Sequence, residues 1–302
     1  MNISKTVDFR LMVVYTVAQK LSFTKASQEL NISQPAVTKH VREMEHQLQC
    51  RLFVRKGNAI ARTSQGDIFL SYAEKIIRLS KQMESEIGLV SHSGLGNISI
   101  GASTTVAQTI IPRLLALFKK RYPKIELTFV QANTDVVSSY ILDQSIDIAI
   151  VEGVGHIQQI NYSPYVKDEM VLVTRAGGKY AKLAEVSKKQ LCQIPLVLRE
   201  AGSGSLDVIR KALSEIGLTL KDLNVEIQLE SSIAIKQYLL YSETAAFLSI
   251  QSVVNELKYN ELTVLDIKGL EIYRDFQFAH LHGQVSAMGE LFMRFCRNQY
   301  NL

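Results

Sequence analysis

The sequence predicts an α/β protein in two parts. A winged helix-turn-helix plus a long linker helix comes first, and a two-lobed α/β domain follows. Three observations carry this. Residues 22–48 read as two short amphipathic helices joined by a tight turn, and residues 51–62 follow as a basic hairpin. Residues 65–90 form one amphipathic stretch whose only glycines, Gly66 and Gly88, stand near its ends. After a Ser/Gly-rich break at 91–97, short apolar runs alternate with helical patterns. A chain of 302 residues, 47% of them apolar, is long enough for two domains with cores of their own.

The first helix is expected over 8–21, with Phe9, Met12, Val13, Val17 and Leu21 on its apolar side. Ser22 or Thr24 can cap a second helix, in which Phe23, Ala26 and Leu30 form the stripe. Asn31 tolerates the left-handed conformation of a tight turn, and Ile32 plugs that turn into the core. Ser33 caps a third helix, and Pro35 falls in its first turn, where a missing N–H costs nothing. Ala36, Val37, Val41, Met44 and Leu48 mark its inner face.

Gln34, Thr38, Lys39, Arg42 and Glu43 lie on or beside the outer face. That pattern suits a helix entering the major groove of double-stranded DNA. Gln34 can pair bidentately with adenine, and Thr38 can touch a thymine methyl or a phosphate. Lys39 and Arg42 would neutralise phosphates. Two short strands around Gly57-Asn58 then make a wing bearing Arg55, Lys56 and Arg62. The competing reading is a solvated helix pair in some other helical domain. The wing argues against it, and so does the charge. Residues 1–90 hold 13 Lys+Arg against 8 Asp+Glu, whereas residues 91–302 hold 21 of each, so the first part carries the whole net charge of +5.

The segment resembles the winged helix-turn-helix of LysR-type transcriptional regulators. The matching residues are Phe9, Phe23, Ala26, Leu30, Ser33-Gln34-Pro35-Ala36-Val37-Thr38, Val41, Met44-Glu45, Leu48, Leu52-Phe53, Arg55, Thr63 and Gly66. The resemblance implies DNA contacts from Ser33, Gln34, Pro35, Thr38, Lys39, Arg42, Arg55, Lys56, Arg62 and Thr63. Three positions depart from the family pattern: Ser27 replaces an alanine, Gln49 a glycine and Arg62 a leucine.

In the long helix Phe69, Ile76, Met83 and Val90 recur every seven residues, with Tyr72, Ala73, Leu79 and Ile87 filling the seam. Such a stripe predicts a dimerisation helix, and a helix-turn-helix that reads two half-sites needs one. The alternative is packing against its own domain. Beyond the break, strands are expected at 97–102, 125–130, 147–151, 170–174, 196–198, 226–229, 245–249 and 276–281. Helices are expected at 105–122, 135–143, 206–216 and 286–300. Alternation of this kind predicts parallel α/β lobes, and the return of the chain gives a periplasmic-binding-protein-like clamshell, as in the resembled family. The division is therefore 1–64 for DNA binding, 65–91 for the linker and dimerisation helix, and 92–302 for effector binding. Lobe one is placed at 97–165 and 268–302, and lobe two at 166–267.

Two loops make a candidate pocket. Gly101-Ala102-Ser103-Thr104-Thr105 and Arg199-Glu200-Ala201-Gly202-Ser203-Gly204-Ser205 each join a strand to a helix. Hydroxyls and N–H groups at helix starts favour a small anion. Ordinary capping is the competing reading for each loop. The resemblance adds weight to Ser103, Thr104, Ser203 and Ser205. Gly202 belongs to the second loop, Thr134 to a third loop of the same kind, and Glu152 either lines the cleft or stands as a rim charge. The loop Ser242-Glu243-Thr244-Ala245-Ala246 lacks the glycines usual in the family, so no ligand contact is carried over to it. The forms GASTT and REAGSG resemble the branch of the family linked to sulfur or carbon assimilation.

Cys50, Cys192 and Cys296 are scattered and odd in number, which fits a reducing cytoplasm rather than a disulfide framework. No run is long enough for a membrane span, and the first ten residues lack the apolar core of an export signal. His280 and His282 alternate as on a strand and are read as structural, so neither a metal nor a cofactor is expected. No catalytic motif has supporting spacing, and Gly202-Ser203-Gly204-Ser205 is out of register for a nucleophile elbow. The expected protein is a cytoplasmic, non-enzymatic homodimer or homotetramer that binds DNA and responds to a small anionic metabolite. The alternative is a small-molecule binding protein whose N-terminal region serves only oligomerisation.

Overall fold

The computed structural model describes residues 6–56, 59–90, 96–153, 157–183, 185–283 and 285–300. Met1–Gly96 and Asn97–Leu302 are two compact units. The turn at Gly57-Asn58 and most of the break at 91–97 lie outside the described residues.

In the first unit, α1 (Phe9–Lys20) is capped by Asp8, which accepts from Arg10 N at 2.7 Å, and stops at Leu21 with φ 47°. Helix α2 (Phe23–Leu30) is capped by Ser22 and ends at Asn31, whose φ of 53° is the left-handed turn read from the sequence. Helix α3 (Gln34–Gln47) starts on Ser33 with Pro35 in its first turn. Val13, Val17, Ala26, Leu30, Val37, Val41 and Leu52 close one core beneath the three helices. Strands β1 (Phe53–Lys56) and β2 (Ala59–Arg62) pair antiparallel, with Phe53 opposite Arg62. A Cβ on Gly66 would lie 2.2 Å from the Leu52 carbonyl oxygen, so α4 (Ser64–Val90) can pack this closely only on glycine.

The stripe on α4 divides differently from the expected seam. Ala73 and Ile77 are buried and Phe69 packs on the domain core. Ile68, Tyr72, Ile76, Leu79, Met83 and Ile87 stay exposed. One face of this helix packs against its own domain and the other stays exposed, because one 3.6-residue period carries two apolar stripes.

The second unit runs β3 (Gly96–Ser103), α5 (Thr104–Thr109), α6 (Ile111–Arg121), β4 (Ile125–Ala132), α7 (Thr134–Leu142), β5 (Ile148–Val151) and β6 (Ile160–Arg175). It continues with β7 (Glu185–Val186), α8 (Lys188–Leu191), β8 (Leu196–Arg199), α9 (Gly204–Glu215), β9 (Val225–Leu229) and α10 (Ser232–Leu240). The last elements are β10 (Ala245–Ser249), α11 (Ile250–Lys258), β11 (Leu262–Ile267), β12 (Ile272–Leu281) and α12 (Ala287–Tyr300). The single helix expected at 105–122 is two helices, since Pro112 has no N–H to continue α5 and instead opens α6.

The main sheet has the order β4-β3-β5-β12-β6-β10-β8-β9, with β11 beside β6. Strands β3 and β5 pair parallel, as do β10 and β8, and β8 and β9. The parallel expectation fails at the centre, where β6 and β12 run antiparallel along ten residue pairs. Those two long strands are shared by both halves of the sheet, and the expected lobe boundary at 165/166 falls inside β6. The sequence signal for residues 160–169 was weak because Pro164 interrupts it. The strand tolerates that proline at a bulge, where Phe276 and Gln277 face Val166 and Pro164 and leave Tyr165 between them. Strand β10 is buried on both faces: Ala245 and Phe247 join one core, and Ala246 and Leu248 the other. Among the described residues no helix is long and apolar enough to cross a membrane.

Candidate functional site

The N-terminal end of α3 presents a concavity of about 500 Å³ lined by Gln34, Pro35, Thr38, Lys39, Arg42 and Glu43. Gln34, Pro35, Lys39 and Arg42 are exposed. Ser33 Oγ accepts from Ala36 N at 3.3 Å, so this serine caps the helix and fixes where its first turn points. Thr38 is half-buried in this lining and donates its hydroxyl to Gln34 O at 3.0 Å. Lys39 and Glu43 are 3.9 Å apart in solvent, a contact too screened to hold the ammonium against a phosphate. Arg55 is exposed on β1, and the side chain of Lys56 lies outside the described residues.

Arg62 and Thr63 stand apart from the other expected DNA contacts. Arg62 Nε donates to Asp67 Oδ1 at 2.6 Å and Nη1 to Ala18 O at 2.9 Å, so the guanidinium ties β2 to the end of α1. Thr63 donates to Arg51 O at 2.7 Å and accepts from Gly66 N at 3.0 Å, capping α4. Glu45 holds the wing from the other side. Buried on the inner face of α3, it accepts from Leu52 N at 2.8 Å and Phe53 N at 3.2 Å, and pairs with Arg51 at 2.9 Å. An acid placed among Val41, Met44 and Leu48 was the sequence signal for this role.

In the second unit the predicted effector loops meet. Ser103 is the N-cap of α5, yet its hydroxyl makes no cap bond and donates instead to Glu152 Oε2 at 2.8 Å. Ser205, in the first turn of α9, donates to Glu152 Oε1 at 3.0 Å. Thr134 Oγ1 donates to the Glu152 carbonyl at 3.0 Å, and Thr104 Oγ1 to Ala132 O at 3.3 Å. Gly202, at φ 80°, accepts through its carbonyl from Asp135 N at 3.3 Å. Ser203 is 1% exposed, and its hydroxyl has no hydrogen-bond partner among the described residues. Glu152 is therefore a buried member of the cluster rather than a rim charge.

Sequence reasoning missed the layer beneath. Arg274 Nη1 donates to Ser205 Oγ at 2.9 Å and its Nε to Asp168 Oδ2 at 2.8 Å, while Ser249 donates to Asp168 Oδ1 at 2.7 Å. Arg274 and Asp168 face each other across β12 and β6, so their meeting follows from strand register alone. Arg199 is 2% exposed and grips Glu200 with two nitrogens, leaving Nη1 without a partner among the described residues. Among the described residues no three His, Cys, Asp or Glu side chains are grouped to hold a metal. Burial pushes the Cys296 thiol up, away from nucleophilic use.

Residues 10–67 match the family described as "Bacterial regulatory helix-turn-helix protein, lysR family", and residues 91–301 match "LysR substrate binding domain". A probable RuBisCO transcriptional regulator of Phaeodactylum tricornutum is 30% identical over 268 residues, covering 88% of this chain and 87% of the relative. The HTH-type transcriptional regulator CysL of Bacillus subtilis is 29% identical over 270 residues, covering 89% of each. Among solved structures, the Synechocystis PCC6803 CcmR regulatory domain in complex with 2-PG is similar at TM-score 0.61 and 26% identity, covering 67% of this chain and 96% of that one.

Proposed function

The chain belongs to the LysR family of DNA-binding transcriptional regulators, and we propose that it reads its operator through the N-terminal turns of α3 and is controlled by a small anion held between the halves of its second unit. The single observation that carries the effector reading is Ser203. Its buried hydroxyl has no partner among the described residues, and α9, which it starts, has no side-chain cap. A helix of 12 residues with unsatisfied N–H groups at its start attracts negative charge, and the spare nitrogen of Arg199 belongs to the same loop. The CcmR regulatory domain, similar in fold, is a complex with 2-PG. The relatives named for RuBisCO regulation and CysL favour an effector from carbon or sulfur assimilation.

The exposed face of α4 is read as the contact that pairs two chains, so that two winged helices meet two half-sites as a dimer or a dimer of dimers. Effector binding then shifts the population between assembled states. The reading places the protein in the cytoplasm and assigns it no reaction.

DNA binding is tested by gel shift on the intergenic region upstream of its own gene. A shift is expected at low salt, weakening steeply as salt rises. Gln34→Ala is expected to change which sequence is preferred. Arg55→Ala is expected to weaken binding to every sequence and lower the salt slope by about 1. An unchanged preference in the Gln34 variant would place the reading surface elsewhere on α3. The alternative, a binding protein with an oligomerising N-terminus, predicts no shift at any salt. The anion pocket is tested by thermal shift against sulfate, phosphate, phosphate-sugars and small carboxylates. Ser203→Ala is expected to reduce the affinity of a responding anion by about tenfold.

A further inference from the structure

The two serines that an acidic ligand would meet already hold a carboxylate of the chain itself. Ser103 sits at the end of β3, in one half of the sheet, and Ser205 in α9, in the other. Glu152 follows β5 and accepts from both, at 2.8 Å and 3.0 Å. It bridges the halves as a bound acid would. The side chain is 1% exposed, and the loop behind it is pressed so closely against α9 that the two backbones meet at Gly204.

Charge makes this arrangement unusual. Arg274 is the guanidinium nearest Glu152, but it stands off at 3.9 Å and gives its shorter ion pair, at 2.8 Å, to Asp168. Two carboxylates therefore share one guanidinium, and hydroxyl donors carry much of what Glu152 receives. A second anion beside that carboxylate would meet like-charge repulsion that burial does little to screen. A ligand acid and Glu152 cannot hold the same two hydroxyls together.

We propose that Glu152 is a resident carboxylate that competes with acidic effectors for Ser103 and Ser205. It keeps the halves joined when no effector is bound, and an effector carboxylate or phosphate enters by displacing it. Glu152 thereby sets which acids the pocket accepts: only a ligand with enough further contacts to expel it. This rests on the anion-pocket reading above and adds to it a specificity-determining residue.

The test is calorimetric titration of the full-length chain and its Glu152→Gln, Glu152→Ala and Ser203→Ala variants with sulfate, phosphate, 2-PG and a small carboxylate. Glutamine keeps the size and much of the hydrogen bonding of Glu152 without its charge. The Glu152 variants are expected to bind these anions at least about tenfold more tightly than the native chain, or to bind anions that the native chain refuses. A merely structural Glu152 would lower the melting temperature on substitution with no gain in affinity, and that result overturns the proposal. If the Glu152 variants bind no better while Ser203→Ala still weakens binding, the pocket stands and the competition falls. If no form binds any anion, both fall. Should Glu152→Ala lack a cooperative melt, Glu152→Gln decides alone.

Discussion

Replacing Glu45 by alanine is expected to destabilise the first unit by about 3 kcal/mol and to leave the second unit unaffected. The reason is the pair of backbone donors it holds. Leu52 is 1% exposed, and its N–H and that of Phe53 both end on Glu45 Oε1, at 2.8 Å and 3.2 Å. Alanine leaves those amides without an acceptor at the point where the chain turns from α3 into the wing, and each orphaned buried donor costs about 1–3 kcal/mol. The ion pair with Arg51 adds little, because that arginine is 75% exposed and water takes its charge back. Glu45→Gln keeps one acceptor oxygen and should fall between the two. Native-state hydrogen exchange is the measurement. Opening free energies of amides in α1, α2, α3 and β1 should drop together in the alanine variant, while those of β6 and β12 stay fixed. DNA affinity should fall with them, since Arg55 rides on the strand that Glu45 anchors. Unchanged protection in β1 would show that the wing is held by its own core alone.

The same residue shows what the sequence could and could not reveal. Caps are local, so Ser22, Asn31 and Ser33 were readable from residue type and spacing, and the structure uses each as expected. The strands that flank Gly57-Asn58 were readable for the same reason. Contacts between distant residues were not. Glu45 stood out as an acid on an apolar face, but its backbone partners Leu52 and Phe53 lie seven and eight residues on, across the turn into the wing. Arg62 looked like a phosphate ligand because a wing arginine usually faces outward. Its bond to Ala18 depends on where α1 ends, 44 residues earlier.

In the second unit the loops at 101–105 and 199–205 were legible because a hydroxyl between a strand and a helix is a local signature. Arg274 and Asp168, which brace Ser205 from below, are 106 residues apart and are joined only by the register of β6 against β12. That register was hidden twice over, once by Pro164 and once by the polar residues of 160–169. The helices α10 and α11 escaped for another reason: each is a nine-residue helix with no capping side chain to mark its start, whereas α7, equally short, starts on the Asn133 cap.

The closest backbone approach at a described glycine of the second unit yields the other large effect. A Cβ on Gly204 would lie 2.0 Å from the Glu152 carbonyl oxygen and 2.6 Å from its carbonyl carbon, with Thr134 Oγ1 also at 2.6 Å. Backbone cannot yield as a flexible side chain does, so Gly204→Ala must drive α9 and the Glu152 loop apart by an ångström or so. Moving them lengthens the bond from Ser205 to Glu152, which latches one half of the sheet to the other, and disturbs the one from Thr134 to the Glu152 carbonyl within the first half. The steric term alone costs about 1–3 kcal/mol, and loosening two buried hydrogen bonds adds about 1 kcal/mol each. A loss of about 4 kcal/mol is expected in the second unit, read as a lowered melting temperature, with an increased radius of gyration in solution scattering as the halves part. Gly217→Ala is the comparison. That glycine has φ 76° but nothing within 4 Å of a Cβ, so its substitution carries backbone strain of about 1 kcal/mol and no clash. If Gly204→Ala costs no more than Gly217→Ala, the contact with Glu152 carries no steric penalty, and the two loops do not press together in solution. If Gly204→Ala alone is strongly destabilised and expanded, the glycine is there to let the halves close, because its backbone meets that of Glu152 with no room for a side chain between them.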